Sequence, residues 1–147
     1  MAYIGQENKK IIIAKTKDFF NELGLKVTFK IHNHSSLHIT IREGKTDFLT
    51  MINKICKQIR DDNLFDNAKY YKDKETLENF RDNFSLRYCD NIPEAIYLRN
   101  LFQNIEAKIK QAGEWYDNSD SMSDYFDTKF YYHIAIGDYD KPYKFIA

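Results

Sequence analysis

The segment Leu25-Lys26-Val27-Thr28-Phe29-Lys30-Ile31 alternates without a break between apolar and polar side chains. A period of two places Leu25, Val27, Phe29 and Ile31 on one face of a strand, and Lys26, Thr28 and Lys30 on the other. Asn33-His34-Ser35-Ser36 has turn composition, and Leu37-His38-Ile39-Thr40-Ile41-Arg42 then alternates in the same way. Two such runs joined by a short turn predict a β-hairpin with one buried face and one polar face. A buried face needs a covering layer, and the flanking sequence supplies helices.

Ile12, Ile13, Phe19, Phe20 and Leu23 recur at helical spacing from about Asn8, and Gly24 stands where a helix stops. A second helix is predicted to about Arg60, capped by Thr46 or Asp47, with Phe48, Leu49, Met51, Ile52, Ile55, Cys56 and Ile59 on its apolar side. A third runs from Pro93 to Gly113, its stripe formed by Ile96, Tyr97, Leu101, Ile105 and Ile109. Between these, residues 72–83 read as a short helix around Leu77 and Phe80, and Phe84–Tyr88 alternates like a short strand. The clearest remaining strand is Phe130–Gly137. These elements predict an α+β fold, with one domain over residues 1–147. Its sheet is mainly antiparallel with about four strands, and three helices pack on one face.

Composition narrows the functional classes. The formal net charge is zero, which excludes a uniformly basic nucleic-acid binder. The balance is uneven: residues 1–60 hold 11 Lys and Arg against 5 Asp and Glu, and residues 61–147 hold 11 against 17. The longest apolar run, Ile11-Ile12-Ile13-Ala14, is far short of the ~20 residues of a membrane span. The first ten residues lack a basic-then-apolar signal pattern. Cys56 and Cys89 stand alone, outside any C-x-x-C pair. A cytoplasmic protein without a cofactor is expected.

His38-Ile39-Thr40-Ile41 fits the H-x-[ST]-apolar pattern of two-histidine phosphoesterases, and His133-Ile134-Ala135-Ile136 resembles a second copy. In that chemistry one imidazole removes a proton from the nucleophile, the other protonates the leaving oxygen, and the hydroxyl two residues on steadies the phosphate. Alternation puts His38 and Thr40 on one polar face, and His133 opposite Phe130, Tyr132 and Ile134. Ala135 lacks the second hydroxyl. His32, His34 and His38 invite a metal reading, but turn composition accounts for them and no metal site is expected.

Two surface patches complete the candidates. From Glu114 to Asp127 the chain carries carboxylates interleaved with Trp115, Tyr116, Tyr125 and Phe126 and no basic residue. The segment lacks the central Gly and terminal Glu of a calcium-binding EF-hand loop. Aromatic anchors with acidic steering suit a basic protein groove, with Asp117, Asp120, Asp124, Tyr125 and Asp127 as contacts. The alternative is an ordered loop whose Asp and Ser side chains satisfy local backbone groups. Burial of Trp115 and Phe126 is expected to pin it. Lys54, Lys57 and Arg60 form a basic stripe on the second helix, suited to phosphates or to solvent.

His32-Asn33-His34-Ser35-Ser36-Leu37, with Arg42-Glu43-Gly44-Lys45-Thr46-Asp47-Phe48, resembles a block in small proteins of phages and other mobile elements. So does Asp117–Phe126 followed by Gly137-Asp138-Tyr139-Asp140-Lys141-Pro142-Tyr143. The resemblance implies a mobile-element origin. With the small size and the acidic segment, it leads to the expectation of a non-enzymatic, anti-CRISPR-like inhibitor that binds a host defence protein, such as a CRISPR nuclease. The alternative is a two-histidine phosphoesterase acting on RNA or a cyclic nucleotide signal through His38, Thr40 and His133. A third reading is a nucleic-acid-binding accessory protein using Lys54, Lys57 and Arg60.

Overall fold

The computed structural model describes residues 2–82, 86, 89–120, 122 and 127–146. Helix α1 (Gln6–Leu23) leads into the hairpin of β1 (Leu25–His32) and β2 (Ser36–Gly44), and α2 (Phe48–Asp62) follows. A 3-10 turn (Ala68–Tyr70), a two-residue strand β3 (Phe80–Arg81), helix α3 (Pro93–Ala112), β4 (Tyr131–Ile136) and β5 (Lys144–Phe145) complete the fold. It is α+β, with helices on one face of the sheet, as the sequence predicts.

Local signals set the boundaries. Gly24 ends α1 with φ 69°, a left-handed conformation open to glycine at no steric cost. Asp47 caps α2, its carboxylate accepting from the backbone N–H of Thr50 at 3.2 Å. Asn63 ends that helix at φ 48°. Pro93 opens α3 in the first turn, where no backbone donor is needed. The hairpin turns at Asn33 and His34, both with positive φ, and Ser35 N–H donates to the His32 carbonyl at 3.3 Å. Two positive φ values are what a tight hairpin turn requires, because they match the twist of the strands.

The main path of the sheet is β1-β2-β4-β3, and β5 pairs beyond β4 with the end of β2. The β1/β2 and β3/β4 contacts are antiparallel, whereas β2 runs parallel to β4 and to β5. Antiparallel register pairs outnumber parallel ones, and the longer parallel contact, between β2 and β4, lies at the centre of the sheet.

One face of the sheet is the core. Leu37, Ile39, Ile41 and Ile136 are fully buried against Ile12 and Phe20 of α1, the Phe48, Ile52, Ile55 and Ile59 stripe of α2, and Leu98, Phe102, Ile105 and Ile109 of α3. Full burial stabilises each such side chain by about 1.5–3 kcal/mol. Three expectations fail in detail. Ile13 and Tyr97 are exposed, because α1 and α3 are turned to present Ile12 and Leu98 to the sheet. Residues 72–82 form no helix, and residue 83 lies outside the described residues: Leu77 is buried from an extended segment, and Phe80 and Arg81 pair with Ile136 and Ala135. Within the expected strand 84–88, Leu86 is helical and buried, and the other positions lie outside the described residues. Among the described residues no helix is long and apolar enough to cross a membrane.

Candidate functional site

The parallel contact between β2 and β4 brings the two sequence motifs side by side. Ser36 pairs with Tyr131, His38 with His133, Ile39 with Ile134 and Thr40 with Ala135. Because Leu37, Ile39 and Ile41 face the core, Ser36, His38 and Thr40 project from the opposite face, with Tyr131, His133 and Ala135 beside them. The rings of His38 and His133 meet edge to face, with centroids 4.8 Å apart. His32 of β1 joins on the other side, its ring centroid 5.3 Å from that of His38. Three imidazoles from three strands thus form a row.

Arg81 completes the site. β3 sets it opposite Ala135, and its guanidinium donates to Nδ1 of His133 at 3.2 Å. Arginine stays protonated, so it is the donor, and neutral His133 carries its proton on Nε2. The small Ala135 side chain leaves the neighbouring surface to this guanidinium. A permanent cation therefore stands near the position where the motif lacks its second hydroxyl.

The electrostatics follow from this crowding. His38 is held below the usual histidine pKa, first by partial burial and then by His133, His32, Arg81 and Lys30. His133 is lowered too, first by partial burial and then by Arg81 and His32. Both rings are thus neutral at pH 7, and a neutral imidazole has a lone pair to accept a proton. On the outer side of β4, His133, Arg81, Tyr131, Ser36 and Trp115 line an open cleft of about 770 Å³. Among the described residues no group of three or more His, Cys, Asp or Glu side chains is placed to hold a metal ion.

No protein-family model, curated protein or solved structure matches the chain. The reading of the site rests on its own geometry.

The other sequence candidates lie elsewhere. His34 is exposed at the hairpin tip, where its carbonyl accepts from Ile4 N–H at 2.8 Å. Lys54 pairs with Glu94 at 2.8 Å, Lys57 with Asp61 at 2.6 Å and Arg60 with Asp73 at 3.0 Å. Each cation of the α2 stripe therefore has a carboxylate partner. In the acidic segment, Asn118 N–H donates to the Asp127 carbonyl at 2.8 Å and Lys129 N–H to the Tyr116 carbonyl at 3.0 Å, a short ladder that closes the loop. Asp117 accepts from Ser119 N–H at 3.0 Å and from the Thr128 hydroxyl at 3.2 Å, and Asp120 accepts from Met122 N–H at 3.0 Å. The bonds from Ser119, and after them the one from Thr128, hold the Asp117 carboxyl below its usual pKa. Trp115 is half-buried, stacks edge to face on Tyr132, and donates from Nε1 to the Phe130 carbonyl at 2.7 Å. Asp124, Tyr125 and Phe126 lie outside the described residues.

Proposed function

We propose that the His38–His133 pair acts on phosphodiesters of RNA, in the cytoplasm. The observation that carries this reading is the register itself: two imidazoles 95 residues apart in sequence lie in contact on one polar sheet face, with Thr40 two residues from His38 and a guanidinium alongside. His38, neutral and flanked by cations, takes the proton from a ribose 2′-hydroxyl. The 2′-oxygen attacks phosphorus, the bond from phosphorus to the 5′-oxygen breaks, and a 2′,3′-cyclic phosphate forms. The leaving 5′-oxygen takes its proton from Nε2 of protonated His133. His133 reaches that state when Arg81 turns from Nδ1 to a phosphoryl oxygen and Nδ1 gains a proton. Thr40 donates its hydroxyl to the phosphate, and Arg81 offsets charge that builds on the phosphoryl oxygens. Solvent then takes the proton from His38, and His133 regains a proton from solvent.

The test compares a short single-stranded RNA with its 2′-deoxy counterpart. RNA is expected to yield 2′,3′-cyclic phosphate ends and DNA to remain intact. His38→Ala and His133→Ala each lose about 100-fold or more in rate, the usual worth of acid–base catalysis. Intact RNA, or equal cleavage by either variant, contradicts the reading.

The anchored acidic loop favours a second reading, an inhibitor of a host defence nuclease of the kind borne by phages. Trp115 fixes one end of the loop and the Tyr116–Asn118 ladder closes it, which supports a preformed acidic surface suited to a Lys- and Arg-lined groove. Charge reversal at Asp117, Asp120 and Asp124 is expected to abolish inhibition of a CRISPR nuclease in a DNA-cleavage assay. Inhibition that survives the reversal excludes the loop as the contact.

A further inference from the structure

We propose that the face of the sheet opposite the helices binds single-stranded RNA as an extended strand, over a platform much wider than the His38–His133 pair. The proposal rests on reading that pair as a phosphodiester site, and it adds the class of substrate and the residues that hold it. Register places three rungs across β1, β2 and β4. One is His32–Ser36–Tyr131, the next Lys30–His38–His133, and the third Thr28–Thr40–Ala135, which Arg81 of β3 extends. Successive rungs lie ~6.6 Å apart and neighbouring strands ~4.8 Å apart, so the platform measures roughly 13 Å by 10 Å. Sheet faces of this kind stack two or three bases of a single strand.

The composition of the rungs is one-sided. Across all three there is no carboxylate, although the chain as a whole has equal numbers of acidic and basic residues. Lys30 and Arg81 supply fixed positive charge, and His32, His38 and His133 supply imidazole N–H donors and flat rings. Ser36, Thr28 and Thr40 add hydroxyl donors. Glu43, farther along β2, is paired with Lys26 at 3.2 Å. Such a face attracts a polyanion and repels a basic protein surface. The α2 stripe differs, because Lys54, Lys57 and Arg60 are each already engaged by a carboxylate.

Tyr131 decides between a single strand and a duplex. It opens β4 with 48% of its surface exposed, and its backbone N–H is fixed by the Ser35 carbonyl at 2.8 Å. A half-exposed ring on a rigid strand, at the opposite end of the rung from the exposed His32 ring, offers a stacking surface for an unpaired base. Bases inside a duplex present no face to such a ring, and a flat sheet does not enter a groove.

The experiment measures fluorescence anisotropy of a labelled 2′-O-methyl RNA of about twelve nucleotides, long enough to cover the face. The 2′-O-methyl group removes the nucleophile, so binding is read without turnover. Binding is expected at low ionic strength and weakens steeply as salt is added. Lys30→Glu and Tyr131→Ala each weaken it about tenfold or more. Lys54→Glu leaves it unchanged, and a duplex of equal length binds more weakly. Thermal melts confirm that these exposed substitutions leave the fold intact. Absence of binding at low salt overturns the proposal, as does binding that survives both Lys30→Glu and Tyr131→Ala. Binding without cleavage of ordinary RNA upholds the platform and refutes catalysis by the pair. Cleavage without binding of the oligonucleotide does the reverse.

Discussion

The guanidinium of Arg81 donates to Nδ1 of His133 at 3.2 Å from the position opposite Ala135 in the β3/β4 ladder. That bond assigns the proton of neutral His133 to Nε2, the nitrogen free to meet a ligand. Arg81 also lowers the pKa of both His133 and His38 by its charge. Arg81→Ala is therefore expected to raise both titration midpoints and to release the tautomer of His133. A histidine-resolved NMR titration reads both effects. Midpoints that stay in place in the variant mean that the guanidinium does not govern the pair.

Acid is expected to weaken the fold through the same rings. The folded-state pKa values of His38 and His133 lie below their ordinary 6.5, so above pH 6.5 both rings are neutral in the folded and unfolded chains. As pH falls below 6.5 the unfolded chain binds protons first, and stability declines until the folded-state values are passed. Urea unfolding should show a lower midpoint at pH 5.5 than at pH 7.5. The difference shrinks in the His38→Gln, His133→Gln double variant. An equal pH response in that variant assigns the effect to other groups.

Gly137 sets the position of β3, and through it that of Arg81. It follows β4 with φ 77°, and a β-carbon there would overlap the Leu77 carbonyl oxygen. Its own carbonyl accepts from Asn79 N–H at 3.2 Å, just before Phe80 and Arg81 enter the sheet. Gly137→Ala is expected to destabilise the protein by about 3 kcal/mol, from backbone strain and overlap together. It should also displace Arg81 and shift the His133 resonances. Chemical denaturation and NMR check the two effects separately, and a wild-type midpoint contradicts this account of the turn.

Trp115 is the described anchor of the acidic loop. Trp115→Ala removes the hydrogen bond to the Phe130 carbonyl and the contact with Tyr132, and is expected to cost about 2–3 kcal/mol. Trp115→Phe keeps a ring on Tyr132 and costs about 1 kcal/mol, the usual worth of one hydrogen bond. Equal losses in the two variants mean that the hydrogen bond, rather than the packing, fixes the loop.

Much of this fold is legible in the residues because the signals are local. The alternation of Leu25–Ile31 and Leu37–Arg42 specifies the hairpin and its two faces, and Gly24, Asp47 and Pro93 mark helix ends by backbone chemistry. The match between the His38 and His133 segments is also visible, as is their shared polar parity. Their adjacency is not, because it depends on a parallel pairing between strands far apart in the chain, which no local pattern encodes. Arg81 escapes for another reason. A two-residue strand has no periodicity, and its polar surroundings read as loop or helix. The orientation of α1 and α3 is likewise a tertiary choice: Ile13 and Tyr97 sit at helical spacing yet face solvent.

The most direct test of a shared phosphate site is a long-range ¹H–¹⁵N NMR titration of the four histidine rings with uridine 3′-monophosphate at pH 6.5. His38 and His133 are expected to shift together along one binding curve, while His34 at the hairpin tip stays still. Movement of His34 alone, or of His38 and His133 on separate curves, contradicts a site that the two rings share.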